Sequence, residues 1–179
     1  MGTTTINGVP AHPLWAHAVV VLVPLSALAL VVCAAWPAVM RRAGIVLPLL
    51  ALVALVTVPL ATDAGEWLEE RVPENAATER HTEMGDGLLP WAVAIFVLAV
   101  LLWLVHGGLP RRFLPGGPGG QGGAAGPGGG PGAAVRLASP RAVLVVGVGT
   151  LLALVVGVGA VVQVYRIGES GAKAVWQGL

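Results

Sequence analysis

Three histidines and two carboxylates carry most of the chemistry this sequence offers. His12 and His17 lie in Ala11-His12-Pro13-Leu14-Trp15-Ala16-His17, which runs straight into the apolar segment Ala18 to Trp36, and His81 lies in Arg80-His81-Thr82-Glu83. Imidazoles at the mouth of an apolar helix suit haem iron or an imidazole-binding divalent metal, because a neutral ring nitrogen ligates either. Glu66 and Glu70 belong to the run from Thr62 to Arg71, where helical i, i+3 and i+7 spacing puts Asp63, Glu66 and Glu70 on one face. Ionisable groups beside hydrocarbon are costly unless paired or used, so this polar cap is the first place to look for a site. The competing reading is a solvated helix end whose acids pair with Arg71 and Arg80.

The elements that must hold these groups are membrane helices. The chain is 56% apolar and 11% charged, which excludes an ordinary soluble domain. Spanning hydrocarbon takes about 20 helical residues, and four segments qualify: 16–40, 43–62, 88–106 and 141–165. The expected fold is therefore all-α, a single membrane domain over residues 1–179. It is an integral membrane four-helix bundle with an outer polar cap and a disordered Gly/Pro-rich cytoplasmic linker over 107–140. A net charge of +1 gives no reason to expect nucleic acid as a partner. The single cysteine, Cys33, falls inside the first span, which leaves no intrachain disulfide and reads as a small apolar core residue.

Proline and glycine punctuate the runs. Met1 to Pro10 has no lysine or arginine, so the first span reads as an uncleaved anchor rather than a signal peptide. A residue before proline is pushed from helical geometry, which places His12 outside the first helix and His17 one turn inside it. Pro24 is expected to kink that helix, Pro48 and Pro59 lie in the second, and Pro90 starts or kinks the third. Asn75 is expected to cap a short polar helix that carries His81, about 10 Å above the hydrocarbon and level with His12. His106 falls at the opposite end. In the last span Gly149, Ala153 and Gly157, continued by Ala160, make a small-residue stripe that lets a neighbouring helix approach closely. Gln163, Tyr165 and a tail through Lys173 and Trp176 then return to the histidine side as an interfacial anchor. Gly120 to Ala125 formally matches a dinucleotide fingerprint, but without a strand before it or a helix after it the match is chance.

Orientation follows from basic residues. Arg41 and Arg42, with Arg111, Arg112, Arg136 and Arg141, outnumber Arg71, Arg80, Arg166 and Lys173 on the other side, six against four. The positive-inside rule then places loops 41–42 and 107–140 in the cytoplasm and both termini outside. Trp15, Trp67 and Trp91 mark outer span ends, Trp36 an inner end and Trp103 lies near one, as interfacial belts require.

Four segments resemble a bacterial family: Thr5-Ile6-Asn7-Gly8-Val9-Pro10-Ala11-His12-Pro13 with His17; Ala64-Gly65-Glu66-Trp67-Leu68-Glu69; Arg80-His81-Thr82-Glu83-Met84-Gly85-Asp86; and Tyr165-Arg166-Ile167-Gly168-Glu169-Ser170-Gly171-Ala172-Lys173. Together they are similar to the domain of unknown function 2231 group of predicted four-helix proteins of the bacterial cell membrane. The resemblance spans nearly the whole chain except the glycine-rich linker. Some relatives are joined to Rieske iron-sulfur domains, which implies, by analogy, a link to electron transfer. This chain has neither such a domain nor the cysteines to hold a cluster.

Two functional readings follow. In the first, the protein is a non-catalytic, multi-pass membrane component whose outer histidine and carboxylate cap binds a partner, either a redox membrane protein or a second copy of the chain. In the second it is an electron-transfer protein in which His17 with His81, or His12 with His81, ligates a b-type haem between the first and third helices. A variant of the second holds a divalent metal by His12, His17 or His81 with Glu66 or Glu70. No span carries a charge at mid-membrane, which argues against an ion path.

Overall fold

The chain enters its first long helix through a hairpin. In the computed structural model, which describes residues 4–71, 76–106 and 140–176, β1 (Thr5–Ile6) pairs antiparallel with β2 (Val9–Pro10), Thr5 opposite Pro10 and Ile6 opposite Val9. Asn7 and Gly8 turn the chain at φ of 51° and 80°, the left-handed geometry for which Asn-Gly is the favoured two-residue turn. The Ala11 N–H then donates to the Thr4 carbonyl (2.9 Å), and buried Ala11 becomes the N-cap of α1 (His12–Ala35). His12 is thus the first residue of the helix rather than outside it. The hairpin fixes the cap one residue earlier than the proline rule suggests, and Pro13 falls where an N–H would have no intrahelical partner.

The span expected over 16–40 is broken. Pro37 excludes helical geometry at Trp36 (φ −123°, ψ 93°), so α1 ends there and α2 (Pro37–Ala43) begins. Gly44, at φ 52°, turns the chain into α3 (Val46–Glu69), which keeps Pro59 in its interior. The polar helix α4 (Ala76–Asp86) leads to α5 (Leu89–Val105), with Pro90 in its first turn. The last helix, α6 (Pro140–Trp176), runs for 37 residues without a break. The tail beyond Tyr165 is therefore a continuation of this helix and not a separate anchor. At 1.5 Å per residue α6 is about 55 Å long, well beyond a hydrocarbon core of about 30 Å. The expected Asn75 cap, the glycine-rich tract and Arg111, Arg112 and Arg136 lie outside the described residues.

Four helical runs are long and apolar enough to cross a membrane: His12–Ala35, Val46–Glu69, Thr78–Val105 and Val143–Lys173. Their outer faces agree with that, since Val21, Leu28 and Leu151 are each more than 60% exposed, a surface suited to lipid rather than water. α1 packs against α3 and α6, and α5 packs against the same two. The core mixes large side chains such as Leu30, Leu47 and Ile95 with small ones at the helix contacts, where Ala27, Ala51, Ala54, Ala92, Ala99, Ala153 and Ala160 are all buried. Hydrocarbon offers no hydrophobic drive for helices to associate, so close backbone approach and dispersion must supply it. The Gly149, Ala153, Gly157 stripe does this. A Cβ at Gly157 would lie 3.5 Å from Ala27 and Val31 of α1, and one at Gly149 3.8 Å from Leu102 of α5. The tightest notch is Gly159, where the Trp91 ring occupies the space a side chain would need.

Candidate functional site

The site lies where the start of α1 meets the end of α3, with α4 laid across and the projecting end of α6 behind it. From the first turn of α1, His12 reaches across to α3 and its Nδ1–H donates to the Ala61 carbonyl (3.0 Å). Gly65 makes room for the ring, because a Cβ there would sit 3.0 Å from His12 Nδ1 and 3.1 Å from Cε1. From α4, His81 reaches α6, with Nδ1 2.9 Å from Ser170 Oγ. Gly171 leaves the matching space there, a Cβ being 3.0 Å from His81 Cε1. α4 is held down by Gln163 Nε2, which donates to the Met84 carbonyl (2.9 Å) over Gly87, and by Thr82, which donates to Glu69 (3.3 Å).

The bond to Ala61 fixes the tautomer of His12. A carbonyl oxygen can only accept, so the proton between His12 and Ala61 is on Nδ1. Ser170 Oγ lies 2.8 Å from the Ile167 carbonyl and 2.9 Å from His81 Nδ1, and its single hydroxyl proton can go to only one of them, so His81 donates from Nδ1 when that proton goes to Ile167. Neutral His12 therefore presents a bare Nε2 lone pair with no protein hydrogen-bond partner among the described residues, while His81 is also hydrogen-bonded to the Ile167 backbone. No buried polar side-chain atom among those residues is left unpaired, so the His12 lone pair is reachable from outside the protein core.

The two rings stand 6.1 Å apart between centroids, edge to face at 86°. Both line a half-open cavity of about 130 Å³ whose walls are mostly apolar, including Val19, Val58, Leu88 and Ile167. Thr62, Thr82 and Glu66 complete its polar rim. Val20, more than half exposed on the lipid-facing side of α1, is part of the lining, and so is exposed Glu66, which makes the mouth amphipathic.

Of the residues singled out from sequence, His12, His81 and Glu66 meet at this cavity. His17 does not. Five residues beyond His12 it points about 140° around the helix, and its ring bonds the Pro13 carbonyl on an exposed face. Glu70 pairs with Arg71 at the surface (3.2 Å), while the Arg71 guanidinium stacks 3.9 Å over the Trp67 ring. His106 caps the far end of α5 through the Leu102 carbonyl (2.8 Å), remote from the others in the helix order. Among the described residues no group of three or more His, Cys, Asp or Glu is placed to hold a metal ion. The enclosed part of the cavity, about 130 Å³, is close to the roughly 150 Å³ that encloses one benzene ring.

Sequence reasoning passed over Ala61 and named Gly65, Ser170 and Gly171 only within the motifs of the resemblance, without a role in seating the histidines. Ser170 and Gly171 lie in Gly168-Glu169-Ser170-Gly171, small residues in an otherwise long-chained tail, and that is the signal a close approach leaves. Comparison with protein-family models, with curated proteins and with solved structures finds no match to this chain.

Proposed function

We propose that this chain is a non-catalytic, multi-pass component of a bacterial cell membrane, a four-helix bundle whose outer cap is a binding site built on His12 and His81. The observation that carries the reading is the pair of imidazoles, each held through Nδ1, that line a shared, half-open cavity. Binding rather than turnover fits the lining, which holds no cysteine, serine or lysine and has its carboxylate, Glu66, exposed at the rim. The resemblance to the domain of unknown function 2231 group rests on its motifs and names no activity.

A divalent metal is the second reading, because an imidazole held at Nδ1 by an oxygen acceptor is the arrangement that orients metal-ligating histidines. Two ring nitrogens fill half of a tetrahedral shell, so water or a partner's side chain would have to complete it. The two readings separate on purified protein from haem- and metal-replete cells. We expect a visible spectrum without a Soret band and less than stoichiometric metal. A Soret band that shifts on reduction, or stoichiometric metal lost in both His12→Ala and His81→Ala, overturns the first reading in favour of a cofactor.

Topology is testable on its own. The arginine bias supports termini and cap outside, with loops 41–42 and 107–140 in the cytoplasm. In a Cys33→Ala background, a cysteine placed in the glycine-rich tract is expected to react with an impermeant maleimide only after the cells are opened. Labelling of intact cells reverses the orientation.

A further inference from the structure

We infer that the cavity between His12 and His81 takes a single-ring phenol or hydroquinone carrying an alkyl chain, with its hydroxyl donated to a histidine Nε2. The inference rests on the reading of this pocket as a binding site and adds the class of its ligand.

Three features select that class. The first is size, since the enclosed volume of about 130 Å³ is the scale of one six-membered ring. The second is polarity. With Nδ1–H of His12 committed to the Ala61 carbonyl and His81 held beside it against Ser170, the neutral pair offers an acceptor, and no N–H donor, at His12 Nε2. A hydroxyl is matched by such a pair, whereas a ketone or quinone oxygen would meet lone pairs with lone pairs. The third is access. The lining runs from Val20, exposed on the lipid-facing side of α1, to Glu66, exposed in the charged end of α3. A ligand dissolved in the membrane can enter head first and leave its chain among the lipids, losing little apolar burial. An aromatic ring also packs favourably against the faces of imidazoles and the branched walls supplied by Val19, Val58 and Ile167.

The test uses full-length protein in lipid nanodiscs with 15N-labelled histidine, titrated with 4-hexylphenol, hexylbenzene and a metal salt, zinc chloride. The imidazole 15N shift reports hydrogen bonding at each ring nitrogen directly. Saturable 4-hexylphenol binding that moves an Nε2 resonance, at least tenfold tighter than hexylbenzene, is expected. Binding should fall at least tenfold in Ala16→Leu, which narrows the cavity from half-buried Ala16 and leaves both histidines in place. Equal binding of hexylphenol and hexylbenzene overturns the inference, since the pocket would then recognise apolar volume alone. Saturable zinc binding without any hexylphenol binding overturns it too, yet retains the histidine pair as a binding site. Failure of both ligands to move any imidazole resonance sinks the inference and the binding reading together.

Discussion

Gly159→Val is expected to be the most damaging single substitution in the transmembrane region. A Cβ at this position would overlap Cζ3 and Cη2 of the Trp91 ring, a separation that real atoms do not tolerate. The indole cannot simply swing aside, because it is half-buried against the core that α5 and α6 share. Either the ring leaves its slot or α6 moves away from α5, and overpacking of this kind costs about 1–3 kcal/mol, sometimes more. Valine adds two further methyl groups to the clash, which puts the expectation at the upper end. Unfolding in mixed micelles should show the loss, and Trp91→Ala in the same chain should restore part of it, since neighbouring substitutions that share one space are non-additive. Equal destabilisation by Gly159→Val with and without Trp91 would show that the notch is not what limits packing.

Gly65→Val is expected to disable the pocket with little effect on the membrane helices. Its Cβ would press on His12 at 3.0 Å from Nδ1 and 3.1 Å from Cε1, and the branched methyls leave the ring no room beside α3. His12 is the far end of a flexible side chain, so the relief is to rotate it away and give up the Ala61 bond. A neutral hydrogen bond at a half-buried site is worth about 1 kcal/mol, and replacing glycine by valine within a helix returns a few tenths. Stability should therefore change by about 1 kcal/mol or less. The His12 Nδ1–H resonance in 15N NMR should lose its hydrogen-bonded position while that of His81 keeps its own. A spectrum unchanged at His12 would mean that the glycine is not what seats the ring.

The four apolar runs were legible because their length and composition are set by the solvent they cross, and the stripe of Gly149, Ala153 and Gly157 because helix contact in lipid demands small residues at fixed spacing. The break at Trp36 was also written in the chain, as Pro37, but an uninterrupted apolar run hid it. What could not be read was which histidine turns inward. His12 and His17 share a helix and a composition, and the difference between them is rotation about its axis, fixed by a hairpin hydrogen bond from Ala11 to Thr4. The Asn7-Gly8 pair signalled that hairpin. The partner of His81 was less accessible still, because Ser170 lies 89 residues away and no local pattern links the two.

The length of α6 has a consequence for how the protein is made. Each histidine is seated by a helix that emerges from the ribosome later than its own: His12 by α3, and His81 by the final turns of α6. A nascent chain that has inserted α1, α3 and α5 already holds its spans in the bilayer, yet α4 still lacks both Gln163 and Ser170. The pocket therefore closes only once α6 has emerged. A chain that lacks the end of α6 is left with an open cap over His12 and His81.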